Sequence, residues 1–104
     1  MKIYYIDIDG TICTITDGQY QLAQPIKENI KKINELYDAG NTIIYWTARG
    51  TVTQIDWLEL TKKQLLRWGA RHHDVRVGKP HYDYFICDKA INSNVFFDNR
   101  GEAQ

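Results

Sequence analysis

Short apolar runs that end in small polar or charged residues set the rhythm of this chain. The first, Ile3 to Ile6 (IYYI), is β-branched and aromatic and apolar on both faces, which predicts a central parallel strand. It runs into Asp7-Ile8-Asp9-Gly10-Thr11, and in extended backbone Asp7 and Asp9 project from one side while Ile8 faces the other. Two adjacent negative charges repel, so the pair asks for a reason. The next stretch, TICTITDGQYQLA, predicts two short extended pieces around Asp17-Gly18, a strong two-residue hairpin signal. Pro25 suits the first position of a helix, and Ile26, Ile30, Ile33 and Leu36 recur at helical spacing until Gly40.

Residues 42 to 46 repeat the opening theme, an apolar strand ending in Thr47-Ala48-Arg49-Gly50. Thr53 and Asp56 predict a capping box for a second helix, which carries Leu58, Leu65 and Trp68 inward and stops at Gly69. There follow a short strand around DVRV, the turn GKP, a strand YFIC ending in Asp88, and a last edge strand, NVFF. Strands alternating with helices predict right-handed crossovers and a mostly parallel α/β sheet with helices on both faces and a small β-hairpin flap after the first strand. No internal repeat, low-complexity tract or linker interrupts the chain, and residues 1–104 are expected to form a single domain, a length that can bury one core without disulfides or a structural metal.

Charge adds a local feature to this picture. Basic and acidic residues balance at 13 each, so nothing draws the whole chain toward nucleic acid or an anionic membrane. Residues 49 to 79 are nevertheless rich in Arg and Lys, and the flanking segments are net acidic, which predicts a local anion site. Cys13 and Cys87 have neither metal-finger nor redox spacing and are expected to be free, buried thiols. With no signal-peptide pattern and no membrane-length apolar run, a cytoplasmic location is the expectation. In a parallel sheet, ligands bind at the carboxyl ends of the strands, a rule that gathers Asp7, Asp9, Thr47, Arg49, Lys79 and Asp88 at one crevice.

Asp7-Ile8-Asp9-Gly10-Thr11, then Thr47, Lys79 and Asp88 at successive strand ends, resembles the four-motif signature of the haloacid dehalogenase (HAD) superfamily of phosphotransferases. The resemblance covers nearly the whole chain in the right order. More narrowly, DGTIC, YQLAQP, WTARG and GKPHYDYFICDKAIN are similar to small phosphatases linked to capsule or surface-polysaccharide biosynthesis. Relatives of that narrower kind usually carry Asp-Asp where this chain has Cys87-Asp88. The resemblance implies a three-layer Rossmannoid sandwich without a cap domain, and a Mg2+-dependent phosphomonoester hydrolase working through an aspartyl-phosphate, on a sugar phosphate or other small phosphate ester. It implies Asp7 as nucleophile, Asp9 as acid and base, and a metal held by the Asp7 side chain, the Asp9 carbonyl and Asp88, with Asn92 as an outer partner.

The chemistry is consistent with those roles. A carboxylate attacking an anionic ester needs a cation to cancel repulsion, and a divalent ion with oxygen ligands suits an acidic pocket. Thr47 and its neighbour Ala48 offer a hydroxyl and amides to phosphate oxygens, Lys79 offers a point charge, and Gly10, Thr11 and Arg49 are candidate substrate contacts. Tyr20, beside the Asp17-Gly18 turn, and His81 are open candidates for selecting substrate, and a second subunit could cover an uncapped site. Set against these are plainer roles: a strand-end pair capping a turn for Asp7 and Asp9, a loop lysine for Lys79, a surface loop for His72-His73. Other functions stay in view: a nucleotide or polynucleotide-end phosphatase, a phospho-acceptor domain of receiver type, or a noncatalytic phosphate binder.

Overall fold

The structure, a computed structural model, describes residues 1–98; residues 99–104 of the expected domain lie outside it. Its centre is a three-stranded parallel sheet in the order β1-β2-β3: β1 is Ile3–Ile6, β2 is Thr42–Trp46 and β3 is Asp74–Arg76. Ile3 lies opposite Thr42 and Ile6 opposite Tyr45, while Ile44 faces Asp74 and Trp46 faces Arg76. Helix α1, Lys27–Asp38, links β1 to β2, and α2, Leu58–Arg67, links β2 to β3.

Both long helices end as their glycines predict. Gly40 has φ +94° and Gly69 φ +70°, a left-handed conformation that costs glycine little. Asn41 and Gly40 amides return to the Leu36 and Tyr37 carbonyls, and Ala70 and Gly69 amides to Leu65 and Leu66, so each end is a Schellman motif. At the second, buried Leu65 and Ala70 supply the apolar contact that accompanies the motif. The α2 start differs from the expected capping box: the Asp56 carboxylate accepts from the Leu58 amide at 3.0 Å, and the Thr53 hydroxyl accepts from Ile55. Pro25 sits before α1, bridged to Cys13, and Ile26 rather than Pro25 stands at the helix entry.

The sheet advances in one direction without reversing, and crossovers of one hand, as the right-handed rule expects, then fall on one face. Burial agrees. Tyr4, Ile6, Ile43, Tyr45 and Val75 pack with Ile30, Ile33 and Leu65 in one core, whereas Ile3 and Tyr5 on the other face of β1 are 69% and 52% exposed. Among the described residues, then, the helices cover one face of the sheet, not both. Asn34 of α1 ties the two helices by donating to the Gly69 carbonyl and accepting from the Arg71 amide, each at 2.8 Å.

Three expected elements take other forms. The segment around Asp17-Gly18 makes the turn, with φ +53° and +90°, but not a hairpin: it is held by isolated bridges of Cys13 to Asp9 and Pro25 and by a 3-10 turn over Tyr20–Leu22. YFIC forms no strand, and Tyr84 and Ile86 are 87% and 96% exposed. Residues 77–83 separate it from β3, fewer than the dozen or so that a parallel crossover takes. NVFF lies within a short helix, α3 (Ser93–Phe97), because the Asn92 side chain caps it by accepting from the Asn94 amide at 2.9 Å. Asn92 is thus occupied as a cap. Among the described residues, no helix is long and apolar enough to cross a membrane.

Candidate functional site

Where β1 ends, Ile8 is fully buried and anchors the backbone in the core, leaving Asp7 and Asp9 to face the other way. The chain then turns sharply: Thr11 and Ile12 amides donate to the Ile8 carbonyl, Gly10 donates to Cys13, and Gly10 takes φ +80°. Across from this turn, β2 ends at Trp46, and the Thr47 amide and carbonyl bond to Arg76 and to the Lys79 amide. Backbone pairing therefore sets the lysine beside the end of β2. The Thr51 hydroxyl fixes the same loop by donating to the Lys79 carbonyl at 2.7 Å.

A cleft of about 380 Å3 opens at these strand ends, with Asp7, Asp9, Thr47, Ala48, Arg49 and Lys79 in its lining. Tyr20, His81 and Tyr82 also reach it. A larger groove of about 550 Å3 runs between α1 and α2 but holds none of the strand-end residues. Lys79 Nζ stands 3.5 Å from Asp7 Oδ1. Partial burial pushes the Asp7 carboxyl above the ordinary carboxylate range, against the opposing pull of Lys79 and of the Ile8 amide. With the side chain still 40% exposed, solvent moderates both effects.

Asp9 is held very differently. Arg49 Nε donates to Asp9 Oδ2 and Nη2 to Oδ1, both at 2.9 Å, a two-pronged pair whose arginine side chain is fully buried. Arg49 Nη1 donates to Gln64 Oε1 at 2.6 Å and to Thr61 Oγ1 at 3.1 Å, both on α2, and the guanidinium lies over the Tyr20 ring. The Cys13 thiol adds a contact of 3.5 Å to Asp9 Oδ1; burial first, and then the Asp9 charge, push that thiol up to about 12, so it stays protonated as a donor. Gly50, directly after Arg49, has φ +82°, and a Cβ there would collide with the Ile55 carbonyl oxygen. That tight turn aims Arg49 inward.

Of the six residues that the strand-end rule gathers, Asp7, Asp9, Thr47, Arg49 and Lys79 meet at the cleft, with Ala48 beside them, and Asp88 does not. Gly10 and Thr11 lie in the turn behind the cleft: Thr11 is buried, and its carbonyl accepts from Asn29 at 2.8 Å. Thr47 is 1% exposed, and its hydroxyl accepts from the Arg49 amide at 3.1 Å, leaving its proton free to donate. Asp88 lies outside the cleft, directly after the exposed YFIC segment, where its Oδ1 accepts from the Cys87 thiol at 3.7 Å. Cys87 is exposed and only Cys13 is a buried free thiol. His72 and His73 have structural contacts: His72 Nδ1 lies 2.8 Å from the Ala70 carbonyl, and His73 stacks on Tyr37 and accepts from the Ile43 amide. Sequence reasoning missed Thr61 and Gln64; polar residues three apart on the inward side of a helix, next to Leu65, were the available signal.

The donor set can be weighed against the magnesium ion that the resemblance implies. Asp7 and the backbone of Asp9 are at the cleft, but Asp88 is not, and among the described residues no group of three His, Cys, Asp or Glu side chains could hold a metal. As arranged here, these residues do not complete an ion site.

No family model and no curated protein matches the chain. A crystal structure of a structural-genomics target from Vibrio cholerae is similar to it, with a TM-score of 0.84 and 26% identity over 93% of this chain and 88% of that one. The likeness spans both α/β crossovers, and that target bears no functional name.

Proposed function

We propose that the protein is a phosphomonoester hydrolase of HAD-like Rossmannoid architecture, without a cap, in which Asp7 receives the phosphoryl group. The observation that carries this reading is the pairing at the cleft: an accessible carboxylate after β1 with Lys79 at 3.5 Å, and a second carboxylate two residues on, fixed by Arg49. In the first half-reaction Asp7 Oδ attacks phosphorus, the ester P–O bond breaks, and a proton taken up from solvent passes by way of Asp9 to the leaving oxygen. In the second, water attacks phosphorus, gives its proton to Asp9, and the bond from phosphorus to Asp7 breaks. Lys79 offsets the charge gathering on the phosphoryl oxygens, and the Thr47 hydroxyl donates to one of them. The open cleft suits a sugar phosphate or another small phosphate ester. Dependence on magnesium is what the resemblance implies, although the described residues as arranged do not complete a site for the ion.

The test is phosphate release from sugar phosphates, nucleotides and end-phosphorylated oligonucleotides, with and without Mg2+, against Asp7→Asn. Turnover absent from the variant supports the reading and ranks the substrate classes. Equal turnover in the variant removes Asp7 as nucleophile.

A further inference from the structure

Arg49 was a candidate for gripping substrate, yet its guanidinium is already engaged on every side. Nε and Nη2 take Asp9, Nη1 takes Gln64 and Thr61, one face lies 4.7 Å from the Tyr20 ring centre, and the residue is 2% exposed. A phosphate could reach it only by dismantling that arrangement. The two Asp9 oxygens, meanwhile, are unequal. Oδ1 receives Arg49 Nη2 and has the Cys13 sulfur 3.5 Å away, whose single proton is shared between this oxygen and the Ile8 carbonyl at 3.6 Å, whereas Oδ2 receives Arg49 Nε and has no thiol beside it.

We propose that Arg49 is a positioning residue that fixes the plane of the Asp9 carboxyl and leaves Oδ2 as the atom that passes a proton to the leaving oxygen and takes one from the attacking water. Resting on the hydrolase reading above, it assigns the arginine a role through Asp9 and not on substrate. Gln64 and Thr61 hold the guanidinium from behind, so α2 sets the orientation of a carboxyl that β1 carries. A planar fork is needed for this and a lysine, a single point of charge, cannot reproduce it. Proton delivery matters most when the leaving oxygen is strongly basic, so a misaligned Asp9 should be felt on alkyl phosphates and far less on 4-nitrophenyl phosphate.

The experiment compares kcat and KM of the wild type, Arg49→Lys and Gln64→Leu on an alkyl phosphate and on 4-nitrophenyl phosphate. Arg49→Lys is expected to lose at least tenfold more kcat on the alkyl ester, with KM changed less than threefold, and Gln64→Leu to show a smaller loss in the same sense. If Arg49→Lys does not fold, Gln64→Leu decides by the same comparison. The Arg49 Nε–H resonance should also be protected from exchange in the free protein and lose that protection in Asp9→Ala. Equal losses on both esters, or a loss confined to KM, overturn the positioning role while leaving the hydrolase intact. An unprotected Nε–H in the wild type overturns it too. A wild type that turns over neither ester overturns the hydrolase reading itself, and this inference with it.

Discussion

Replacing Arg49 by methionine tests how firmly the buried pair ties α2 to the end of β1. The Arg49 side chain has no exposure and that of Asp9 has 21%, so the substitution strands a carboxylate that water reaches only in part. Breaking a fully buried pair from one side costs about 3–5 kcal/mol, and access of water to Asp9 lowers that to roughly 2 kcal/mol. Gln64 Oε1, on a residue 1% exposed, also loses its donor, adding about 1 kcal/mol, while Thr61 can rotate its hydroxyl. The expected loss is therefore about 2–4 kcal/mol, a large share of the 5–15 kcal/mol typical of a domain. Urea unfolding followed by circular dichroism reads it: with an m-value of roughly 1–1.5 kcal/mol/M, the midpoint should fall by about 1.3–4 M. A cycle with Asp9→Ala should then give a coupling of more than about 1.5 kcal/mol, since the double variant no longer buries a lone charge. A loss below about 0.5 kcal/mol, or strict additivity, would refute the view that this pair anchors the site.

Other residues give independent checks. The Tyr45 hydroxyl is buried with no hydrogen-bond partner among the described residues, so Tyr45→Phe should leave thermal stability unchanged or raise it by up to about 1 kcal/mol; a loss above that would mean the hydroxyl is satisfied. Iodoacetamide at pH 8 should label native protein once, at exposed Cys87, because the Cys13 thiol is enclosed and raised to about 12; comparable labelling of Cys13 by mass spectrometry would contradict the packing around Asp9. Lys79 opposes the burial that raises the Asp7 carboxyl, so in Lys79→Met that carboxyl should take up its proton at still higher pH, shrinking the pH range in which Asp7 is ionised. A carboxyl-carbon NMR titration of Asp7 reads this, and an unchanged midpoint would remove Lys79 as its partner.

Much of this architecture is written in local pattern. IYYI and TIIYW are apolar runs that read as strands and form them, but β1 stands at an edge of the described sheet with Ile3 and Tyr5 exposed, where a central strand was expected; Gly40 and Gly69 announce helix ends because the left-handed turn they supply is a local need. The strand-end rule then placed Asp7, Asp9, Thr47 and Lys79 correctly at one cleft, since parallel pairing fixes which ends lie together. What pattern did not carry was partnership. YFIC has a strand's composition, but whether it pairs depends on a connection long enough to return it to an edge. NVFF reads as a strand until the Asn92 cap is counted. Helices on both faces required a reversal of strand order, and order is invisible in periodicity. Arg49 is the sharpest case: two residues after Thr47 it looked free to meet an anion, and only the fold shows Asp9, Thr61 and Gln64 using its donors.

The most direct measurement is on the covalent intermediate. Protein quenched during turnover and treated with borohydride would have an aspartyl-phosphate reduced to homoserine, which mass spectrometry locates by residue. Homoserine is expected at position 7, dependent on substrate and absent from unreacted protein. Sustained phosphate release with Asp7 unmodified, or reduction at a different carboxylate, would contradict it.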